Sequence, residues 1–233
     1  MADQHLTGGS GDAPLHDAAT VVLLRDSPAG IECLMVRKNS GQAFGGMWVF
    51  PGGRVEEADG TGVDGARRAA VREAAEETGL VLDAAALVPI SHWTPPSSAP
   101  RRYATWFFLG ALPEDAADVI VDGGEIGDHV WAPPALALER HAEREIELVP
   151  PTWVTLQHLA EAGAAMQGGA AEAVEAAAAG EIERFKTRVV IENGVLITLW
   201  DPDAGYARAE LDAPGPRHRL VMDPAGWRYE RSS

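Results

Sequence analysis

Three carboxylates are the residues best placed to do chemistry: Glu73, Glu76 and Glu77, spaced i, i+3 and i+4. In an α-helix that spacing puts all three on one face. Like charges so placed repel each other and destabilise an exposed helix. A hard cation such as Mg²⁺ or Mn²⁺ would turn the repulsion into ligation, because both prefer oxygen ligands. Spacing alone leaves two readings open, a solvated acidic face and a metal-binding face. The neighbours favour the metal: a Gly52-Gly53 pair precedes the helix, Arg72 stands beside the first acid, and Thr78-Gly79-Leu80 ends the run. A Gly-Gly turn lets backbone carbonyls and amides come close to a metal and a phosphate.

The elements that must position these groups follow from the pattern. Asp64 is expected to cap the helix, which runs through Thr78 and ends at Gly79. Ahead of it, residues 18–25 and 31–37 are β-rich runs joined by Asp26-Ser27-Pro28-Ala29-Gly30. Residues 39–46 read as a loop, and Trp48-Val49-Phe50 as a short strand stopped by Pro51. Residues 87–92, 103–112 and 129–131 read as strands. Helices are expected from Pro133 to about His141, over 153–162 and over the Ala-rich 170–179. From Thr187 short strands alternate with turns at Glu192-Asn193-Gly194, Asp201-Pro202-Asp203 and Pro214-Gly215-Pro216. The expected organisation is a disordered polar tail over 1–17, a main domain over 18–180 and a β-rich extension over 181–233.

Bulk properties limit the partners. A formal net charge of −16 opposes binding to nucleic acid or an anionic membrane. It does not oppose a small phosphorylated ligand, since local arginines or a bound cation can reverse the field. No uninterrupted apolar stretch is long enough to span a bilayer. Residues 1–17 lack the basic and apolar segments of a secretion signal, so the expected location is cytoplasmic. Cys33 is the sole cysteine and lies in an apolar run, which excludes an internal disulfide and marks it as a small core residue. Positive donors for a phosphate are expected at Arg37, Arg54, Arg101 and Arg102. Trp93, Tyr103 and Trp106 suit core packing better than stacking on a base.

The segment Arg72-Glu73-Ala74-Ala75-Glu76-Glu77-Thr78-Gly79-Leu80 resembles the second half of the Nudix box, R-E-U-x-E-E-x-G-U, where U is a bulky aliphatic. Gly53 matches the opening glycine of the pattern G-x5-E-x7-R-E. There are departures. Asp59 stands where Glu is usual, residues 60–71 intervene where seven are usual, and Ala74 is small for its position. Together with Phe50-Pro51-Gly52-Gly53, the stretches Thr94-Pro95, 101–108 and 148–152 resemble a Nudix branch with an interrupted box, similar to the peroxisomal coenzyme A diphosphatases. Of the coenzyme A motif L-L-T-x-R-S-x3-R-x3-G-x3-F-P-G-G, Arg37, Gly46 and residues 50–53 match, whereas Lys38 replaces the Ser and Gln42 the second Arg.

This resemblance implies an α/β fold, a Nudix-type α/β/α sandwich with a mixed β-sheet, here with a small C-terminal β appendage. It implies hydrolysis of a diphosphate bond in a nucleoside diphosphate linked to another moiety, such as coenzyme A or a dinucleotide. Glu73, Glu76 and Glu77 would bind Mg²⁺ or Mn²⁺, joined by the Gly53 carbonyl, and Arg72 would pair with an acid and hold the helix. The catalytic carboxylate would be one of the box acids, Glu76 or Glu77, or Glu125 in the Gly123-Gly124-Glu125-Ile126 loop. The implied partner is a small nucleotide-type substrate, and a homodimer is the expected assembly. The rival reading is a Nudix-fold protein that binds a nucleotide without cleaving it. Such proteins usually lose a box carboxylate, and this chain keeps all three.

Overall fold

The computed structural model describes residues 13–41, 44–113, 116, 118–121, 123–165 and 168–232. Most of the expected tail, residues 1–12, and Gln42 lie outside them. The chain divides into two compact units. The larger contains Asp17–Ser91 and Thr105–Glu183; the smaller contains the residues before Asp17 together with His92–Ala104 and Arg184–Ser233.

The larger unit is built on a mixed sheet of β1 (Leu15–Ser27), β2 (Gly30–Lys38), β3 (Trp48–Val49), β4 (Gly52–Arg54), β5 (Val88–Thr94), β6 (Arg102–Ala111) and β7 (Ile126–Ala132). The order is β3-β2-β1-β6-β5, with β4 also on β1 and β7 also on β2. β1 begins before residue 18, because the Asp17 carbonyl accepts the Val55 N–H (2.9 Å) and extends the pairing with β4. Residues 18–24 of β1 are buried without interruption. Neighbouring strand residues point to opposite faces, so an unbroken buried run means both faces are covered. Ala19, Val21 and Leu23 supply one face and join a core with Leu34, Leu87 and Phe108.

Helix α1 (Gly62–Thr78) closes that face. Its buried stripe is Ala66, Ala69, Ala70 and Ala74, all in the same core. Small side chains at helical spacing let the helix lie close to the sheet. This explains the small Ala74, since extra methylenes in a packed core cost about 1–3 kcal/mol. The helix starts earlier than expected, with Thr61 as the residue before it. Asp64 does not cap it; its carboxylate pairs with Arg67 one turn on, at 2.6 Å. The end is as expected: Gly79 adopts the left-handed conformation (φ 72°), and its N–H bonds the Ala75 carbonyl at 3.0 Å. Helix α2 (Pro134–Ala142) packs on β2 and on α3 (Pro150–Ala165), and α4 (Ala170–Ala178) follows. α3 takes in Pro150 and Pro151 ahead of the expected start, because a proline in the first turn lacks only an N–H that has no helical partner there.

β8 (Glu183–Lys186) lies beside β5, whose last residues, His92–Thr94, belong with Arg184–Lys186 to the smaller unit. A separate antiparallel sheet follows, of β9 (Arg188–Glu192), β10 (Val195–Leu199), β11 (Arg217–Asp223) and β12 (Gly226–Ser232), in the order β12-β11-β10-β9. Asn193 and Gly194 both take positive φ in the β9–β10 turn, as a two-residue hairpin requires. Trp93 stacks on Phe185 with ring centres 3.8 Å apart, and Trp200 meets both rings edge-on. Trp93 therefore packs a core, as expected. Beneath lies a buried ion pair: Arg219 donates to both carboxylate oxygens of Asp203, at 2.7 and 2.8 Å. The backbone N–H groups of His218 and Gly205 also donate to Asp203. Burial alone would raise its pKa, but the Arg219 and backbone hydrogen bonds outweigh burial and hold it below the ordinary value. Among the described residues no helix is long and apolar enough to cross a membrane.

Candidate metal centre

The site begins at the Gly-Gly turn. Gly52 and Gly53 pair with Thr20 and Ala19 of β1, and the Thr20 hydroxyl donates to the Pro51 carbonyl at 2.6 Å. A side chain on Gly52 would strike the Ala19 carbonyl and the Thr20 backbone. A side chain on Gly53 would occupy the place of the Glu73 carboxylate. The two glycines therefore do different work: one seats the turn on the sheet, and the other gives a helix acid room beside the backbone.

Glu77 is the most buried of the three helix acids, at 3% exposure. The Gly52 N–H donates to its Oε2 at 2.9 Å, and the Lys38 ammonium donates to its Oε1. Burial raises the Glu77 pKa; Lys38 and the Gly52 amide partly oppose that effect. Glu73 is also raised by burial, against the pull of Arg72. Glu76 is the open one, with 60% of its side chain exposed.

Arg72 ties this face to the turn before it. Its Nη1 donates to Glu73 at 2.9 Å and to Glu76 at 3.2 Å. Its Nη2 donates to the Arg54 carbonyl and to Asp59 Oδ2, both at 2.9 Å. Arg72 thus holds the helix by pairing with acids, as expected. Asp59 is buried, and the Arg72 hydrogen bond is the main reason its pKa lies below the ordinary carboxylate value. It reaches Arg72 despite the longer interval, because Asp59 ends a short 3-10 turn (Glu57–Asp59) and all but two of the residues that follow, Gly60 and Thr61, are wound into the first turns of α1. Arg68 fastens the same turn by donating to the Asp59 carbonyl at 2.7 Å.

Lys38 is the site residue that the reading of motifs missed. Its side chain is 11% exposed; its Nζ meets Glu77, lies 3.4 Å from the Gly52 carbonyl oxygen and 3.8 Å from Glu125 Oε2. Strand periodicity could have found it: Leu34, which packs with α1, and Lys38 are four residues apart on β2 and so share a face. The Glu125 loop is brought in by the Asn39 N–H bonding the Glu125 carbonyl (2.8 Å) and the Asn39 amide bonding the Gly124 carbonyl (2.7 Å).

The expected arginines divide. Arg54 is on β4 beside the turn, and its carbonyl holds Arg72. Arg37 is half exposed on β2, 3.9 Å from Asp128 and over the Trp48 ring. Arg101 and Arg102 belong to the smaller unit, where they line a cavity with His16 and Tyr103, and Arg102 donates to the Ala13 carbonyl at 3.2 Å. Cys33 is buried in β2, where its thiol donates to the Ala132 carbonyl at 3.4 Å and desolvation pushes its pKa up to about 12.

The donors suit a hard divalent cation. Glu73, Glu76, Glu77 and the Gly53 carbonyl offer oxygen only. The missing side chain of Gly53 makes the space in which the Glu73 carboxylate meets the backbone. Among the described residues no three His, Cys, Asp or Glu side chains converge as a ready cage. In this conformation Lys38 and Arg72 hold the acids instead.

Comparison with known proteins agrees with this arrangement. The model of the NUDIX domain family matches residues 14–163. A NUDIX hydrolase from Alicyclobacillus acidocaldarius is similar in structure at 24% identity, with a TM-score of 0.57 over 64% of this chain and 92% of that one. The NUDIX domain of Shewanella oneidensis NrtR, in complex with ADP ribose, is similar at 17% identity, with a TM-score of 0.51 over 65% of this chain and 90% of that one. No curated protein matches. The family model covers well over half of the chain, and the acids, arginine and glycines of its box meet at one end of α1: the chain belongs to the Nudix family.

Proposed function

We propose that this Nudix protein is a hydrolase that binds Mg²⁺ or Mn²⁺ through Glu73, Glu76, Glu77 and the Gly53 carbonyl, and cleaves a diphosphate bond in a nucleoside diphosphate linked to another moiety. The family is generally metal-dependent and hydrolyses pyrophosphate bonds of nucleoside diphosphate derivatives. The observation that carries the assignment is the burial of Glu77 against the Gly52 amide, next to Gly53 and the Glu73 carboxylate. Glu77 buried beside the partly buried Glu73 needs cations to meet the two charges; Lys38 and Arg72 supply them in this conformation, and a divalent ion would supply them in the loaded site.

When bound, the cation polarises the P–O bonds and lowers the pKa of a coordinated water. Glu125 accepts the proton of the attacking water; the water oxygen bonds to phosphorus as the bridging P–O bond breaks, and the second phosphate leaves with the electron pair. Glu76 and Glu77 hold the site's charge during that step. Arg37 and Arg54 contact the diphosphate from the strand and turn beside the helix. Arg101 and Arg102 enter the proposal on their charge alone.

Coenzyme A is one substrate within this class. Its motif is matched at Arg37, Gly46 and residues 50–53, but the Ser position is filled by Lys38, which is bound to Glu77. A panel of coenzyme A, NADH, ADP-ribose, diadenosine polyphosphates and nucleoside triphosphates, with Mn²⁺ and mass analysis of products, tests both levels. Cleavage between phosphorus atoms of any of them supports the class. Tight binding of one with no turnover of any would favour the non-catalytic reading.

A further inference from the structure

We infer that Lys38 is a built-in counter-ion that occupies the cation position at Glu77, so that a divalent metal must displace its ammonium to gain that carboxylate. The inference rests on the proposed role of Glu77 as a metal ligand and goes beyond it.

The geometry around Lys38 Nζ is that of a cation site. A carboxylate oxygen of Glu77, the carbonyl oxygen of Gly52 (3.4 Å) and a carboxylate oxygen of Glu125 (3.8 Å) converge on it. These come from a helix, a turn and a loop that the sequence separates widely. All three are hard oxygen donors of the kind that Mg²⁺ or Mn²⁺ selects. A point charge on a flexible stem is well suited to occupy such a place and to leave it.

The backbone shows how the side chain is aimed. The register between β2 and β7 shifts between Arg37 and Lys38. The extra residue is Gly127 on β7, so alternation along β2 is unbroken and Lys38 shares the face of Leu34. Lys38 is also clamped by its backbone: its N–H donates to the Met47 carbonyl at 3.2 Å, and its carbonyl accepts the Gly46 N–H at 2.8 Å. The stem is therefore fixed at its base, and only the side-chain torsions need to change for the ammonium to leave Glu77.

The consequence is competition. While Lys38 holds Glu77, the metal-competent arrangement is only a fraction of the population, and the apparent metal dissociation constant is raised by the inverse of that fraction. Removing the charge at Lys38 therefore tightens metal binding. A merely structural lysine would, if anything, weaken it when removed, by loosening the turn.

The experiment is a Mn²⁺ titration of the full chain without substrate, followed by the loss of the free-ion electron paramagnetic resonance signal. It compares the wild type with Lys38→Met, Lys38→Gln and Glu77→Gln, each checked for cooperative thermal unfolding. The expected result is that Lys38→Met and Lys38→Gln bind Mn²⁺ more tightly, by roughly tenfold, and Glu77→Gln binds it more weakly. The Lys38 variants should also melt lower than wild type without metal and regain the difference when Mn²⁺ is added. If Glu77→Gln weakens binding but neither Lys38 variant tightens it, the counter-ion role is overturned while the ligand assignment stands. If Glu77→Gln leaves Mn²⁺ binding unchanged, the ligand assignment fails and the counter-ion role fails with it.

Discussion

The guanidinium of Arg72 closes on the carboxylate of Asp59, thirteen residues earlier in the chain, with Nη2 2.9 Å from Oδ2. The same guanidinium donates to Glu73 and Glu76. One arginine therefore fixes both the turn ahead of the helix and two of its acids. Asp59→Ala should destabilise the protein by about 1.5–3 kcal/mol, the range for losing a hydrogen bond to a charged group. Asp59→Glu should recover part of that loss. Urea unfolding of the two variants checks this; equal stability of Asp59→Ala and wild type would show that Arg72 is held elsewhere.

Glu77→Gln tests the proposed catalytic assignment. The amide keeps the size of the side chain and can still accept the Gly52 N–H, but it carries no charge for a metal. Turnover with Mn²⁺ should fall to near zero while the circular dichroism spectrum stays that of the wild type. Full activity would remove Glu77 from the ligand set.

Acid stability should report the Asp203–Arg219 pair. The Asp203 pKa is depressed below its ordinary 3.8 in the folded state. A depressed carboxylate contributes stability that is present above the unfolded value and is lost as pH falls through the folded one. Thermal midpoints should therefore drop as pH is taken below about 4, and Asp203→Asn should drop less over that window. Asp203→Asn should already be less stable at pH 7, by about 3–5 kcal/mol, because it leaves Arg219 buried without its carboxylate. A variant with unchanged pH dependence would contradict this.

Cys33 should be silent to thiol reagents in the native state. With the thiol buried and its pKa pushed up to about 12, almost no thiolate forms at pH 8. An aromatic disulfide reagent should label one thiol per chain in denaturant and almost none without it. Rapid labelling of the folded protein would refute the burial.

Much of this was legible in the sequence, and the exceptions have physical causes. Helix α1, its end at Gly79 and its acidic face follow from periodicity and from glycine's tolerance of the left-handed conformation. The start of α1 was misread because Asp64, a good capping residue, found a better partner in Arg67 inside the helix. Lys38 was invisible as a site residue because a lysine at a strand end resembles any surface lysine. Alternation along β2 was the one local signal of its face, and the partner there, Glu77, comes from tertiary structure. Arg101 and Arg102 sit close to the site residues in motif order, yet they fold into the smaller unit. Nothing local in the sequence signals where a compact unit draws in a distant strand pair.

The longer interval between Asp59 and Arg72 has a consequence for how this protein can change. The acid and the arginine are joined by where the chain returns, not by how many residues it spends in returning. The alanine stripe on the sheet sets the aim of the helix acids, and it begins at Ala66, within the interval between Asp59 and Arg72. Residues can therefore be gained or lost between Asp59 and Ala66, by drift or by deliberate grafting, without re-aiming the acids, whereas a residue gained after Ala66 would turn them away from the site.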